Sequence, residues 1–218
     1  MRLLVVNSNT SQGVTDMVAA EAQLVAGPEV EIVAVTAPYG PAAIETPEDV
    51  EVSAGATLEA MRAETGPVDA AIIACFSDPG LLACRMALRF PVFGIAEAAI
   101  RRAVELGPRF SILTVAPTTV PGIRSTAANY GVEGHLAGVH ALDRGVLASH
   151  ADRAGTLQAM ARLADEVLAR EGPDVLVLGG AVTAGMARDL TARLPVPVLD
   201  GLGCAVELAL LAAREARP

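Results

Sequence analysis

Short apolar runs, each abruptly bounded, alternate along this chain with longer stretches of helical periodicity. The runs are LLVVN (3–7), EVEIVAVT (29–36), DAAIIAC (69–75), PVFGI (91–95), RFSILTV (109–115), DVLVLGG (174–180) and VPVLD (196–200). Strand-length runs that are largely apolar, rather than strictly alternating, are the pattern of strands buried on both faces. Between them the periodicity predicts helices over about 14–25, 52–64, 79–89, 97–106, the stretch ending near Asn129, 152–170, 184–193 and 203–215. In the helix over 152–170, Leu157, Met160, Leu163, Ala164, Val167 and Leu168 share one face. Gly27-Pro28, Gly66-Pro67 and Gly107-Pro108 punctuate the pattern. Strand, helix, strand repeated in this way predicts an α/β protein with parallel sheets flanked by helices. Residues 37–50, rich in Pro and small side chains, are expected to form a long loop. Residues 131–151 read as irregular, with GVHAL (138–142) as their one strand.

The two halves overlay. DAAIIACFSDPG starts at 69 and DVLVLGGAVTAG at 174, an offset of 105 that brings Asp69 onto Asp174, Cys75 onto Gly180 and Gly80 onto Gly185. Both segments follow a Gly-Pro, and both lead through a helix to a Pro-Val strand. MRLLVVNSNTS and PRFSILTVAPTT likewise both run from a strand into a Ser/Thr-rich turn. Ordered landmarks of this kind point to a duplicated unit. The expected division is a first lobe of residues 1–96 plus 203–218 and a second lobe of residues 97–202.

Composition narrows the partners. The chain has 218 residues, 52% of them hydrophobic, enough for a sizeable core. No apolar run approaches the roughly 18 residues of a membrane span, and MRLLVVNSNT lacks the features of a signal peptide, so a cytoplasmic protein is expected. A net charge of -9 opposes binding to nucleic acid or an anionic membrane. A small-molecule partner is expected instead. Three cysteines without a C-x-x-C suggest neither a disulfide framework nor a zinc site. His135, His140 and His150 lack tight ligand spacing, so no metal is expected. Neither Gly-x-Gly-x-x-Gly nor a Walker A sequence occurs.

In open parallel sheets, ligands bind beyond the carboxyl ends of the strands. Four turns qualify. In NSNTS (7–11), Asn9, Thr10 and Ser11 either cap the next helix or hold a polar ligand group. In ACFSDPG (74–80), Asp78 reads as the N-cap of the following helix and Pro79 as its first residue. Cys75 then lies just before a helix N-terminus, where the dipole should lower its pKa, partly opposed by Asp78. The alternative for Cys75 is a buried, inert cysteine, the reading preferred for Cys84. Phe76, Ser77 and Asp78 are candidate substrate contacts beside the thiol. In LTVAPTT (113–119), Thr114, Thr118 and Thr119 offer hydroxyls. In GGAVTAG (179–185), Gly180 and Ala181 allow close backbone approach to a ligand.

ACFSDPGLLACR, PVFGIAEAA and GPRFSILT resemble the hydantoin/allantoin racemase group of the aspartate/glutamate racemase superfamily, as do NSNTS, VLGG with AGMA, and PVLDGLGCAVELA. The likeness spans nearly the whole chain. It implies two similar lobes related by a pseudo-twofold, with the active site between them. It also implies a homo-oligomer and racemisation next to a carbonyl by two opposed cysteines, without cofactor. Cys75 matches the first cysteine. The second belongs to a Leu-Gly-Cys-Ala-Gly-Met stretch that here reads LGGAVTAGM, with Gly180 at the cysteine position and an insertion before Ala184. Three readings follow. Cys204 or Thr183 serves as the second acid or base; or the chain is a one-cysteine decarboxylase of the arylmalonate type, although those enzymes retain the other cysteine; or it binds a small acid without turnover.

Overall fold

The computed structural model of the chain describes residues 1–215, so the expected segment 203–218 extends past the described residues. Two four-stranded sheets are both wholly parallel. The first contains β1 (Arg2–Asn7), β2 (Glu31–Thr36), β3 (Ala70–Ile73) and β4 (Val92–Gly94), in the order β2-β1-β3-β4. The second contains β5 (Phe110–Thr114), β6 (Leu136–Ala141), β7 (Val175–Leu178) and β8 (Val198–Asp200), in the order β6-β5-β7-β8. The register repeats as well. Leu3 pairs with Ala70 as Phe110 pairs with Val175, and Ala71 pairs with Val92 as Leu176 pairs with Val198. Two lobes built on one topology are thus present, as the repeated sequence pattern leads one to expect.

The helices are α1 (Gln12–Ala26), α2 (Pro47–Ala63), α3 (Leu81–Ala87), α4 (Ile95–Leu106), α5 (Val120–Asn129), α6 (Val146–Ala151), α7 (Arg153–Glu171), α8 (Met186–Thr191) and α9 (Gly201–Glu215). Successive strand side chains point to opposite faces. Leu3, Val5, Ala70 and Ile72 therefore join a large core continuous with Phe110, Ile112 and Val175–Leu178 of the second sheet. Leu4, Val6, Ala71 and Ile73 face a smaller core closed by Ala60 and Met61 of α2 and by Leu81 and Cys84 of α3. Helix α9 packs on α1 and α4 and touches β3, β4 and β8, which links the two sheets through apolar contact.

Helix α2 starts at Pro47, earlier than its periodicity predicts. Thr46 Oγ1 accepts from the Asp49 amide (3.2 Å) while Asp49 Oδ2 accepts from the Thr46 amide (2.9 Å), a reciprocal cap. Helix α6 lies inside the stretch read as irregular, and β6 begins two residues before GVHAL. Among the described residues, no helix is long and apolar enough to cross a membrane.

Candidate active site

A cavity of about 460 Å³ opens at the carboxyl ends of the strands of both sheets. Asn9 and Ala74–Ser77 enter it from the first lobe, and Thr114, Val115 and Gly180–Val182 from the second. Helix α5 forms one wall. The loop around Ile44–Pro47 and the start of α6 also line the cavity. Among the described residues, no group of three or more His, Cys, Asp or Glu could hold a metal ion.

Cys75 lies two residues past the end of β3 and is partly buried. Its Sγ lies 3.2 Å from Ser77 Oγ. The lowered thiol pKa expected from a helix N-terminus is corrected here. Burial pushes the Cys75 thiol up, the Asp78 carboxylate adds to this, and the hydroxyl and amide of Ser77 only partly oppose them. Helix α3 begins only at Leu81, with Gly80 as its N-cap at φ 75°.

That geometry also corrects Asp78, which does not cap its own helix. Its carboxylate instead accepts from the amides of Ala96 (3.0 Å) and Glu97 (2.7 Å), in the first turn of α4, and from the Tyr130 hydroxyl (2.6 Å). Asp78 is buried behind the cavity and does not line it.

The first turn is organised by Asn7, which the sequence reading passed over. Asn7 is buried, and its Nδ2 donates to Asn9 Oδ1 (2.9 Å), the Ser11 carbonyl (3.0 Å) and Thr15 Oγ1 (3.0 Å). Asn9 Oδ1 also accepts from the Ser11 amide (2.9 Å), which leaves the Asn9 side-chain amide hydrogens for a ligand. Of the three candidates in this turn only Asn9 lines the cavity. Thr10 is exposed, and Ser11 is the N-cap of α1 without a side-chain capping bond.

In the second lobe, Thr114 Oγ1 lies 3.4 Å from Thr119 Oγ1, and both residues line the cavity, as does Thr118. Gly180 adopts φ 118°, a conformation L side chains avoid, and a Cβ there would meet only Val182 Cγ2, at 3.9 Å. The space beyond Gly180 is therefore open. A short 3-10 turn, Ala181–Thr183, follows. Arg153, at the start of α7, holds this turn by donating to the carbonyls of Val182 (2.8 Å) and Ala184 (2.8 Å).

Neither proposed stand-in for a second cysteine reaches the cavity. Thr183 is fully buried and donates its hydroxyl to the Gly180 carbonyl (2.7 Å). Cys204 is buried in α9 as part of the large core, with its thiol pushed up to about 12 by burial and, next, by Asp200. A residue not foreseen is Glu45, in the long loop of the first lobe. It lines the cavity and accepts from the Val146 amide (2.7 Å) at the start of α6 in the second. Only the tertiary fold joins these two segments, so no local pattern could have found the pair.

The comparisons with known proteins agree with this architecture. The family model for Asp/Glu/hydantoin racemases matches residues 3–209. A hydantoin racemase of Paenarthrobacter aurescens is 36% identical over 211 residues, covering 96% of this chain and 89% of that protein. An allantoin racemase from Klebsiella pneumoniae superposes with a TM-score of 0.93 at 39% identity, over 99% of this chain and 88% of that one. An arylmalonate decarboxylase shares the fold, with a TM-score of 0.71 at 14% identity over 99% of this chain and 94% of that one. A family match over almost the whole length, joined to relatives above 30% identity, means that the chain belongs to the Asp/Glu/hydantoin racemase family.

Proposed function

We propose that this protein is a cofactor-independent isomerase acting on a carbon acid next to a carbonyl, with a neutral hydantoin-type ring as its substrate class and Cys75 as its proton-transfer group. The observation that carries this reading is the chemistry of the cavity lining. One thiol sits among neutral hydroxyl and amide groups, and the only charged side chain lining the cavity among the described residues is Glu45. A neutral cyclic ureide suits such a lining better than a free amino acid or a dicarboxylate, which would enter beside a carboxylate and without a lining cation. Val14, Ile44, Val50, Phe76 and Ile123 are apolar side chains of the lining available to a ring substituent.

In the proposed step the Cys75 thiolate takes the proton from the ring carbon, and the electron pair moves onto the adjacent carbonyl oxygen. Asn9, Thr114 and the backbone near Gly180 and Ala181 are the donors available to that oxygen. Because burial raises the thiol pKa, the thiolate is scarce at neutral pH but a stronger base once formed, so the reaction should accelerate as pH rises. Protonation on the original face restores the starting enantiomer. On the other face Gly180 has no proton to give, and water in the open space beside it would deliver one, leaving hydroxide that takes the proton from the Cys75 thiol and restores the thiolate. Thiol on one face and water on the other make racemisation possible with a single cysteine.

A second reading, a one-thiol decarboxylase, is favoured by that same single thiol. It requires the cavity to hold a dicarboxylate beside Glu45. The experiment is NMR and polarimetry in deuterated water with a 5-substituted hydantoin, allantoin, a free amino acid and an arylmalonate. The ring proton of the hydantoin should exchange, and optical rotation should decay no faster than exchange. Release of carbon dioxide from the arylmalonate alone would replace the isomerase by the decarboxylase. No reaction with any of the four would defeat both.

A further inference from the structure

Behind Cys75 lies a buried carboxylate that takes no part in the proton transfer. Asp78 is the one non-glycine residue with positive φ, 46°, among the described residues. Its amide donates to the Cys75 carbonyl (3.0 Å), so the thiol and this carboxylate share one tight turn. Its side chain replaces the missing cap of α4, whose N-cap position is occupied by Gly94. Only glycine fits there, because a Cβ at Gly94 would overlap the Asp78 carboxylate. The same carboxylate accepts from Tyr130, which closes α5. Helix α5 in turn carries Ile123, Ser125, Thr126 and Asn129 into the cavity lining. One side chain thus joins the turn bearing the thiol, in the first lobe, to the helix that forms a cavity wall in the second.

The charges around this joint are few. Glu97 of α4 is paired with Arg85 of α3 (2.6 Å) and Arg101 of α4 (3.1 Å), and Arg101 lies 5.8 Å from the Tyr130 ring centroid. Among the described residues no cation bonds Asp78 itself. Burial pushes Asp78 up to about 6, with the Tyr130 hydroxyl and the two α4 amides holding it down. Tyr130 is pushed well above its ordinary range by burial and by facing Asp78, so it remains a hydrogen-bond donor. An ionised Asp78 accepts from all three donors. A protonated one loses the charge that strengthens these bonds, and its own hydrogen has the Tyr130 oxygen as an acceptor, so the Tyr130 bond weakens or reverses.

We infer that Asp78 and Tyr130 form a positioning pair for the thiol chemistry proposed above: their hydrogen bond sets Cys75 against the α5 wall, and turnover is fastest while Asp78 is ionised. This rests on the proposed function of Cys75. The test compares wild type, Tyr130→Phe and Asp78→Asn by two measurements. One is carbon-13 carboxyl NMR of labelled aspartate, which reads Asp78 without substrate. The other is kcat/KM against pH for hydantoin exchange, with thermal melts to establish that each variant is folded.

In wild type, Asp78 should titrate near pH 6. There kcat/KM should steepen from about tenfold per pH unit, set by the thiol alone, to about a hundredfold per unit at lower pH. Tyr130→Phe removes a donor that favours the carboxylate, so both the NMR midpoint and the break should move to higher pH. Its maximal rate should fall about tenfold through the loosened wall. Asp78→Asn should show no break and a single slope throughout. If the NMR midpoint moves in Tyr130→Phe while the break stays in place and the rate is unchanged, the pair is structural and the inference fails, with Cys75 untouched. If Asp78→Asn keeps the break, some other group causes it and the inference fails likewise. If wild type exchanges no substrate, the proposed function fails and takes the inference with it.

Discussion

The turns after β3 and β7 occupy equivalent places in the two lobes and have been put to different uses. Both end on a left-handed glycine that caps the next helix, Gly80 at φ 75° and Gly185 at φ 83°. Both are tied by an aspartate to the helix after the following strand, but the aspartate stands at opposite ends of the tie. In the first lobe Asp78 leaves the turn to cap α4. In the second, Asp200 stands beside α9, accepting from the Gly203 amide (2.9 Å) and from the Gly185 amide (3.4 Å) of the turn. The first turn presents a thiol and is braced across the lobes by Tyr130. The second presents a bare backbone and is braced within its own lobe by Arg153. Two frames of one topology surround one cavity, and of these two turns only the first brings a thiol to it.

The largest expected effect follows directly from that asymmetry. Cys75→Ser replaces the one cavity thiol by a far weaker acid and should lower hydantoin exchange by about 10²–10⁴-fold, with little change in melting temperature. A variant within tenfold of wild type would end the role of Cys75. If it were otherwise inactive but still able to racemise an activated hydantoin slowly on both faces, the water path beside Gly180 would gain support.

Next in size is the cost of keeping Asp78 charged. Its carboxyl titrates at about 6 when folded against an ordinary value of 3.8, so between those values the folded protein binds the proton more tightly than the unfolded chain does. Stability from this group is therefore complete below about pH 4 and is lost as pH rises towards 6, about 3 kcal/mol in all. Chemical denaturation of wild type and Asp78→Asn should show the variant gaining on wild type by that order between pH 4 and 7. Asn tolerates the positive φ at this position. A difference independent of pH would mean that the three donors fully compensate the buried charge.

These two turns also mark how far the sequence could be read. The strands, the repeat and the pairing of Cys75 with Gly180 are legible because apolar runs and Gly-Pro punctuation are local signals. The start of α2 was present as Thr46 and Asp49, but a proline-rich setting hid the cap. Asp78 was recognised as a cap and attached to the wrong helix, because a cap read from sequence is assumed to serve the next residues along the chain. Its partners Ala96, Glu97 and Tyr130 come together with it only when β3 and β4 pair and the lobes close. Glu45 and Val146 are likewise joined only by the fold. Asn7 was missed for another reason: a polar residue ending an apolar strand looks like the strand's exit to solvent, yet it is fully buried.

A smaller effect is expected from placing a thiol on the second frame. Gly180→Cys places a side chain at φ 118°, where an L residue is strained, at a cost of about 1–3 kcal/mol. Gly180→Ala, measured beside it by denaturation, separates this backbone cost from any effect of the sulfur. Because the turn must shift to relieve the strain, the new thiol should not raise the ratio of racemisation to exchange above that of the alanine variant. A clear rise in that ratio would mean that the second frame is still built for a two-thiol reaction and lacks only the side chain.

The smallest effect is expected at Cys204, and it bears on which residue serves the second face. The Cys204 sulfur lies in the core of α9 and outside the cavity lining, and its thiol is pushed up to about 12, so at working pH it is neither close enough nor acidic enough to exchange a proton with substrate. Cys204→Ala should cost about 1 kcal/mol through lost packing and leave kcat/KM for exchange and for racemisation within about twofold of wild type. Mass mapping of alkylation should find Cys75 modified well before Cys204 in the native protein, because modification needs exposure and only Cys75 borders the cavity. If Cys204→Ala instead slowed racemisation while sparing exchange, the second proton would come from α9. The single-thiol account would then give way to a two-cysteine one in which the second group had moved from the turn after β7 to the helix after β8.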